Sequence, residues 1–121
     1  MDEPKSIAIA EVLAYWADKN GDEIALNHND NSITWNEFET NTNRLARIYK
    51  DLGVQENDFV AIGLPNSIDF FESCFATWKL GATPLPISSR LPEIEREQII
   101  ELGKPSLVVG FDSPSNIKER K

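Results

Sequence analysis

The chain has 121 residues, 40% hydrophobic and 26% charged, which suits one small globular domain or part of a larger one. A net charge of −8 argues against a nucleic-acid or anionic-membrane partner, since either calls for a basic patch. The single cysteine, Cys74, excludes an internal disulfide, and no apolar run approaches the roughly 20 residues that a membrane span needs.

The N-terminal MDEPKSIAIAEV is acidic and lacks the basic-then-apolar form of a signal peptide, so the expected location is the cytoplasm. Residues 6 to 19 read as a first helix, with Ile9, Val12, Leu13 and Trp16 at i, i+3, i+4, i+7 and Asn20-Gly21 ending it. Two short extended pieces follow, Glu23 to His28 and Ser32 to Thr34. Asn29-Asp30-Asn31 between them tolerates the left-handed backbone of a hairpin tip. His28, the only histidine, reads as a surface residue at the hairpin's edge.

Thr34-Trp35-Asn36-Glu37 has the form of a capping box, in which side chain and backbone of the first and fourth residues exchange hydrogen bonds. The helix it opens carries Phe38, Thr42, Leu45, Tyr49 and Leu52 on one stripe, flanked by Ala46 and Ile48, and ends at Gly53. Arg44, Arg47 and Lys50 form its solvated face.

Asp58 to Pro92 organises the rest. Phe59-Val60-Ala61-Ile62 suits a strand buried on both faces, and Gly63-Leu64-Pro65-Asn66 breaks it. Ser67 is the expected N-cap of a helix running to about Leu80, with Gly81 in the left-handed position beyond. A second strand, Ala82 to Ile87, completes a βαβ unit whose strands should lie parallel. The connecting helix is apolar on more than one face through Ile68, Phe70, Phe71, Cys74, Phe75, Trp78 and Leu80, leaving Asp69, Glu72, Ser73 and Lys79 as its polar positions. It should therefore be buried against more than the sheet. Cys74 reads as a core residue, not a nucleophile.

Pro92 fits the first position of a further helix with Ile94, Ile99 and Leu102 inward, and Glu93, Glu95, Glu97 and Glu101 solvated. Gly103-Lys104-Pro105 stops it, and Ser106 to Val109 reads as a third parallel strand. From Gly110 the pattern fails, and 111–121 reads as a poorly structured tail. The fold class is α/β: a short parallel sheet of βαβ units flanked by helices, preceded by a helix and a hairpin.

Recognisable phosphate loops are absent. The turn after the first parallel strand, GLPNSID, has one glycine where a dinucleotide fingerprint needs three, and no GxxxxGK[ST], HExxH, CxxC or GxSxG occurs. Ligands of parallel α/β sheets bind beyond the carboxyl ends of the strands. There lie Leu64 to Ser67 and the loop Ser88-Ser89-Arg90, whose hydroxyls and guanidinium suit a phosphate or carboxylate just ahead of a helix N-terminus. The plainer reading has the serines satisfying loop backbone and Arg90 in solvent.

Several segments together resemble the opening of adenylate-forming acyl-CoA synthetases: SITWNEF at 32–38, NRLA at 43–46, GV at 53–54 leading to DFVAI, LPNS at 64–67, WKLGA at 78–82 and PISSRLPE at 86–93. The resemblance runs collinearly from about Ile7 to Gly110 and identifies the chain as an N-terminal part of the large AMP-binding domain. It implies an enzyme several times longer, which uses Mg-ATP to convert a carboxylic acid to an acyl-adenylate and then transfers the acyl group to CoA. The family's ATP loop and catalytic lysine have no counterpart within these residues, so the resemblance implies an inactive piece, prone to self-association through exposed apolar surface. It places Ser88, Ser89 and Arg90, with Arg96 in the next helix, on the CoA side. The PISSRLPE run is closer to acyl-CoA ligases, including the fatty-acid, bile-acid or steroid types, than to peptide-synthetase adenylation domains, which usually carry a Pro-Leu-Asp-like run there. The competing reading is a free-standing α/β binding module without catalysis. A reading frame continuing past Lys121 into a Gly/Ser/Thr-rich loop ending in lysine separates the two.

Overall fold

The computed structural model describes residues 11–88 and 90–110. The expected first turn of the N-terminal helix, residues 6–10, and the tail at 111–121 lie outside the described residues. Helix α1, Val12–Asn20, is anchored by Leu13, which is buried. Strands β1, Ile24–His28, and β2, Asn31–Thr34, pair antiparallel, with Asn29 at φ +57° turning the tip as its side chain allows. His28 is exposed.

Helix α2, Trp35–Asp51, opens with both bonds of the capping box: Glu37 N–H donates to Thr34 Oγ1 at 3.1 Å and Thr34 N–H to Glu37 Oε1 at 2.9 Å. Its inward stripe is Phe38, Thr42, Ala46 and Tyr49. The deepest line therefore runs through Ala46, with Leu45 half-buried beside it against the same core, and Leu52 is exposed, because it lies past the last helical turn. The small Ala46 lets α2 approach its neighbours closely. Arg44, Arg47 and Lys50 are exposed, as expected.

Strand β3, Phe59–Gly63, helix α3, Ile68–Lys79, and strand β4, Thr83–Pro86, form the βαβ unit; α4, Glu93–Gly103, and β5, Leu107–Gly110, follow. The sheet order is β4-β3-β5, all parallel. Val60, Ala61 and Ile62 have no exposed surface, so the central strand is sealed on both faces. Val60, Ile62 and Leu107 join the α2–α3 side of the core, while Ala61, Ile87 and Val108 face Ile99 and Ile100 of α4. That alternation is the period-two pleat of a strand between two helical layers.

Ser67 caps α3 by accepting the Phe70 N–H at 3.2 Å, and Gly81 takes φ +76° just past its end. The face of α3 that is buried deepest is made of small residues, Ser73, Cys74, Ala76 and Thr77. Ser73 and Lys79, two of the helix's polar positions, are bonded into the interface with α2. Tyr49 Oη and Ser73 Oγ share a buried bond at 2.7 Å, and Lys79 Nζ donates to Glu39 and to Asn43 Oδ1. The aromatics of α3 meet cover within the chain: Trp16, Trp35, Phe38, Phe75 and Trp78 form a string with successive ring centroids 5.8, 6.4, 5.4 and 5.0 Å apart. Phe71 alone among the large apolar α3 side chains is exposed.

On α4 the expected inward set is corrected. Ile94 and Leu102 are 68% and 84% exposed. The inward stripe is Arg96, Ile99, Ile100 and Gly103, at i, i+3, i+4, i+7. Gly103 belongs to this contact face: a Cβ there would lie 2.7 Å from Leu85 Cδ2. The left-handed residue that ends the helix is Lys104, φ +49°, and Pro92 is the N-cap, one place earlier than expected. The four glutamates of α4 are exposed, as a solvated face requires.

Candidate ligand cleft at the carboxyl edge of the sheet

Because β3 and β4 are parallel neighbours, their carboxyl ends, and the loops leaving them, share one edge of the sheet. The loop after β3 is clipped by Ser67, whose hydroxyl donates to Pro65 O at 2.9 Å while accepting from Phe70 N–H. That clip turns the first α3 aromatic, Phe70, toward the loop. On the other flank, β5 ends at Gly110, φ +92°, paired with Gly63; a Cβ there would sit 2.9 Å from the Gly63 carbonyl carbon. Only glycine allows this backbone approach.

The two loops enclose an open cleft of about 570 Å³. Leu64, Phe70, Pro86 and Ile87 form its apolar wall, and Asn66, Ser88 and Arg90 supply its polar groups. Arg90 is exposed, and its backbone N–H donates to Ser88 Oγ at 3.1 Å. Ser88 thus does hold the loop backbone, as the plainer reading had it, yet its hydroxyl proton remains to be donated. Leu91 N–H donates to Ser88 O at 3.3 Å, closing the turn. The next helix, α4, has Pro92 as its N-cap and no side-chain capping bond, although Glu93 and Glu95 offset its dipole.

Of the four residues singled out from sequence, the structure brings Ser88 and Arg90 to the cleft. Ser89 lies outside the described residues. Arg96 is half-buried on the sheet side of α4 and is not part of the lining. The apolar wall was missed, although position held a signal: Phe70 is in the first turn after the loop, and Pro86-Ile87 ends the neighbouring strand.

Chemically the cleft pairs one cationic side chain, Arg90, and two hydrogen-bonding side chains with a wall for a flat or aliphatic group. That suits an anionic ligand with an apolar part. Among the described residues no group of three or more His, Cys, Asp or Glu is placed to hold a metal ion. No helix is long and apolar enough to cross a membrane. Cys74 is buried, and burial pushes its thiol up to about 11, so it carries no reactive thiolate at neutral pH.

The family model described as "AMP-binding enzyme" matches residues 13–121. The 2,3-dihydroxybenzoate-AMP ligase of Bacillus subtilis (strain 168) is 41% identical over 75 residues, covering 62% of this chain and 14% of that protein. Among solved structures, the inhibitor-bound N-terminal domain of FACL13 from Mycobacterium tuberculosis has a TM-score of 0.82 at 26% identity, covering 95% of this chain and 29% of that one. The Mycobacterium tuberculosis fatty acyl CoA synthetase has a TM-score of 0.81 at 27% identity, covering 93% and 23%. The chain thus spans a minor share of the length of each, and its three-stranded sheet and flanking helices are the fold of their N-terminal region. With the model matched from Leu13 to Lys121, the chain belongs to the AMP-binding enzyme family.

Proposed function

We propose that this chain is the N-terminal part of an ATP-dependent carboxylate–CoA ligase acting in the cytoplasm. In that reaction a carboxylate oxygen attacks the α-phosphate of Mg-ATP and pyrophosphate leaves, giving the acyl-adenylate. The CoA thiol then attacks the acyl carbon and AMP leaves. The part given to this stretch is to hold one end of CoA, with Arg90 and Ser88 on a phosphate and Phe70 and Leu64 against its apolar or ring portion. Catalytic groups for either step come from the larger enzyme, and these residues alone are inactive. The observation that carries the reading is the cleft itself, built by the two loops at the carboxyl edge of a sheet whose family activates acids as adenylates.

The test is Arg90→Ala in the enzyme that contains this chain. Losing a charge-assisted bond of about 1.5–3 kcal/mol corresponds to a CoA KM raised by roughly 10- to 100-fold, with the KM for ATP unchanged. An unchanged CoA KM removes Arg90, and with it the CoA assignment, from the cleft.

A second reading is favoured by the 41% identity to a 2,3-dihydroxybenzoate-AMP ligase. Here the acid is aromatic and the reaction of interest ends at the acyl-adenylate, as in a peptide-synthetase type of adenylation domain. Acid-dependent pyrophosphate exchange with no CoA-dependent release of AMP selects it. A fatty or bile acid turned over to its CoA thioester selects the first.

A further inference from the structure

The apolar wall of the cleft is seated against backbone, and Gly110 is the point of contact. At its carboxyl end β3 is held from both sides: Ile87 N–H donates to Ile62 O at 2.9 Å, and Ile62 and Gly63 lie opposite Val109 and Gly110 of β5. Ser67 fixes the chain again, donating to Pro65 O and accepting from Phe70 N–H. Between these anchors lies 63–66, the stretch that brings Leu64 and Asn66 into the cleft lining. At Gly110, φ +92°, a Cβ would stand 2.9 Å from Gly63 C, 3.0 Å from Leu64 N and 3.2 Å from Gly63 O. All three atoms are backbone, so no flexible side chain can turn aside. Val60, Ala61 and Ile62 are sealed inside the sheet, which leaves 63–66 to give way. Reaching the 3.4 Å of ordinary contact moves that backbone by about 0.5 Å, as much as a binding constellation tolerates.

We infer that Gly110 is a positioning residue for the cleft: its missing Cβ lets the end of β5 press on the backbone of Gly63 and Leu64, and so sets where Leu64 and Asn66 stand toward the ligand. The inference rests on the reading of the cleft as a CoA site. Gly110 is not among the lining residues and supplies no group to the ligand, so it acts only through the loop it supports.

The test is Gly110→Ala and Gly110→Asn in the enzyme that contains this chain. Asparagine tolerates positive φ better than alanine but carries the same Cβ, so it separates the contact from the backbone strain. Both variants should raise the CoA KM at least about threefold, with the KM for ATP unchanged. Gly81→Ala is the control, since it strains a glycine at φ +76° whose Cβ would meet the Glu56 side chain, beside the amino end of β4. It should cost stability and leave the CoA KM as it was. Leu64→Ala should raise the CoA KM as well, and its effect and that of Gly110→Ala should fall short of multiplying, because one acts through the other. An unchanged CoA KM in both Gly110 variants, with Arg90→Ala still raising it, overturns the inference and leaves the CoA reading standing. No change in any of the three removes the CoA reading and this inference with it. Equal rises for Gly110→Ala and Gly81→Ala, or Gly110 and Leu64 effects that multiply in full, also overturn it and reduce the part of Gly110 to stability.

Discussion

The Tyr49–Ser73 bond gives the sharpest test of how α2 and α3 are joined. Both partners are buried, at 5% and 1% exposure, and their oxygens lie 2.7 Å apart. Ser73→Ala leaves the phenol hydroxyl buried without its partner, which costs about 1–3 kcal/mol. Tyr49→Phe should cost less, about 1 kcal/mol, because the Ser73 hydroxyl can turn to a carbonyl of its own helix. Thr77 already does this, donating to Ser73 O at 2.8 Å. Removing both groups orphans neither, so the double variant should fall short of the sum by about 1–2 kcal/mol. For a chain of 121 residues, 2 kcal/mol corresponds to a Tm lower by roughly 8 °C. The assay is urea unfolding at pH 7 followed by circular dichroism. Effects additive to within about 0.5 kcal/mol would refute the coupling. A pH arm tests the same burial. The unfolded phenol ionises near 10.0, and burial raises the folded value, the Ser73 bond partly opposing it. The contribution is therefore complete below pH 10 and is lost as pH rises through the folded value. In a Cys74→Ala background, Tyr49→Phe should remove that alkaline loss.

Three further outcomes follow from particular contacts. Gly110→Ala places a Cβ 2.9 Å from the Gly63 carbonyl carbon at φ +92°, and should destabilise by about 1–3 kcal/mol in urea titrations; a neutral result means that the two strand ends do not approach. Cys74, its thiol pushed from 9.0 to about 11, should react with a disulfide reagent at pH 8 at least about 100-fold more slowly when native than in urea, and equal rates contradict its burial. Burial, with Asn41 bonding against it, raises the Glu72 carboxyl above its ordinary value, so the ionised form is disfavoured in the fold. Stability from that group is present at low pH and is lost as pH rises through the folded value. Glu72→Gln should accordingly stabilise by a few tenths of a kcal/mol at pH 7, after solvent screening, and by nothing near pH 3; equal effects at the two pH values would contradict the assignment.

Local signals marked the element borders well, because they act over three or four residues. Thr34 with Glu37, Ser67 ahead of α3, Asn29 in the hairpin tip and Gly81 past α3 all serve as their chemistry suggests. Which face of a helix is buried was harder to read, since the partner decides it. On α3 the sheet and α2 select small residues for close approach, and hydrogen bonds make Ser73 and Thr77 acceptable inside. On α4 Gly103 reads as a stop signal, yet it is the contact to Leu85, and Ile94 and Leu102 are left outside. The pairing of the 64–67 loop with Ser88 and Arg90 was legible because parallel strands carry their loops to one edge. Arg96 was not separable from them in sequence. Its place on the inward stripe of α4 depends on the register of that helix against the sheet.

The account rests most heavily on acid activation through an adenylate. The direct measurement is carboxylate-dependent exchange of labelled pyrophosphate into ATP by the enzyme that contains this chain, across fatty, bile and aromatic acids, with AMP release followed on adding CoA. Exchange that requires one acid class, with AMP released only when CoA is present, is the predicted result. No exchange with any acid, from a folded protein that retains this domain, would contradict it.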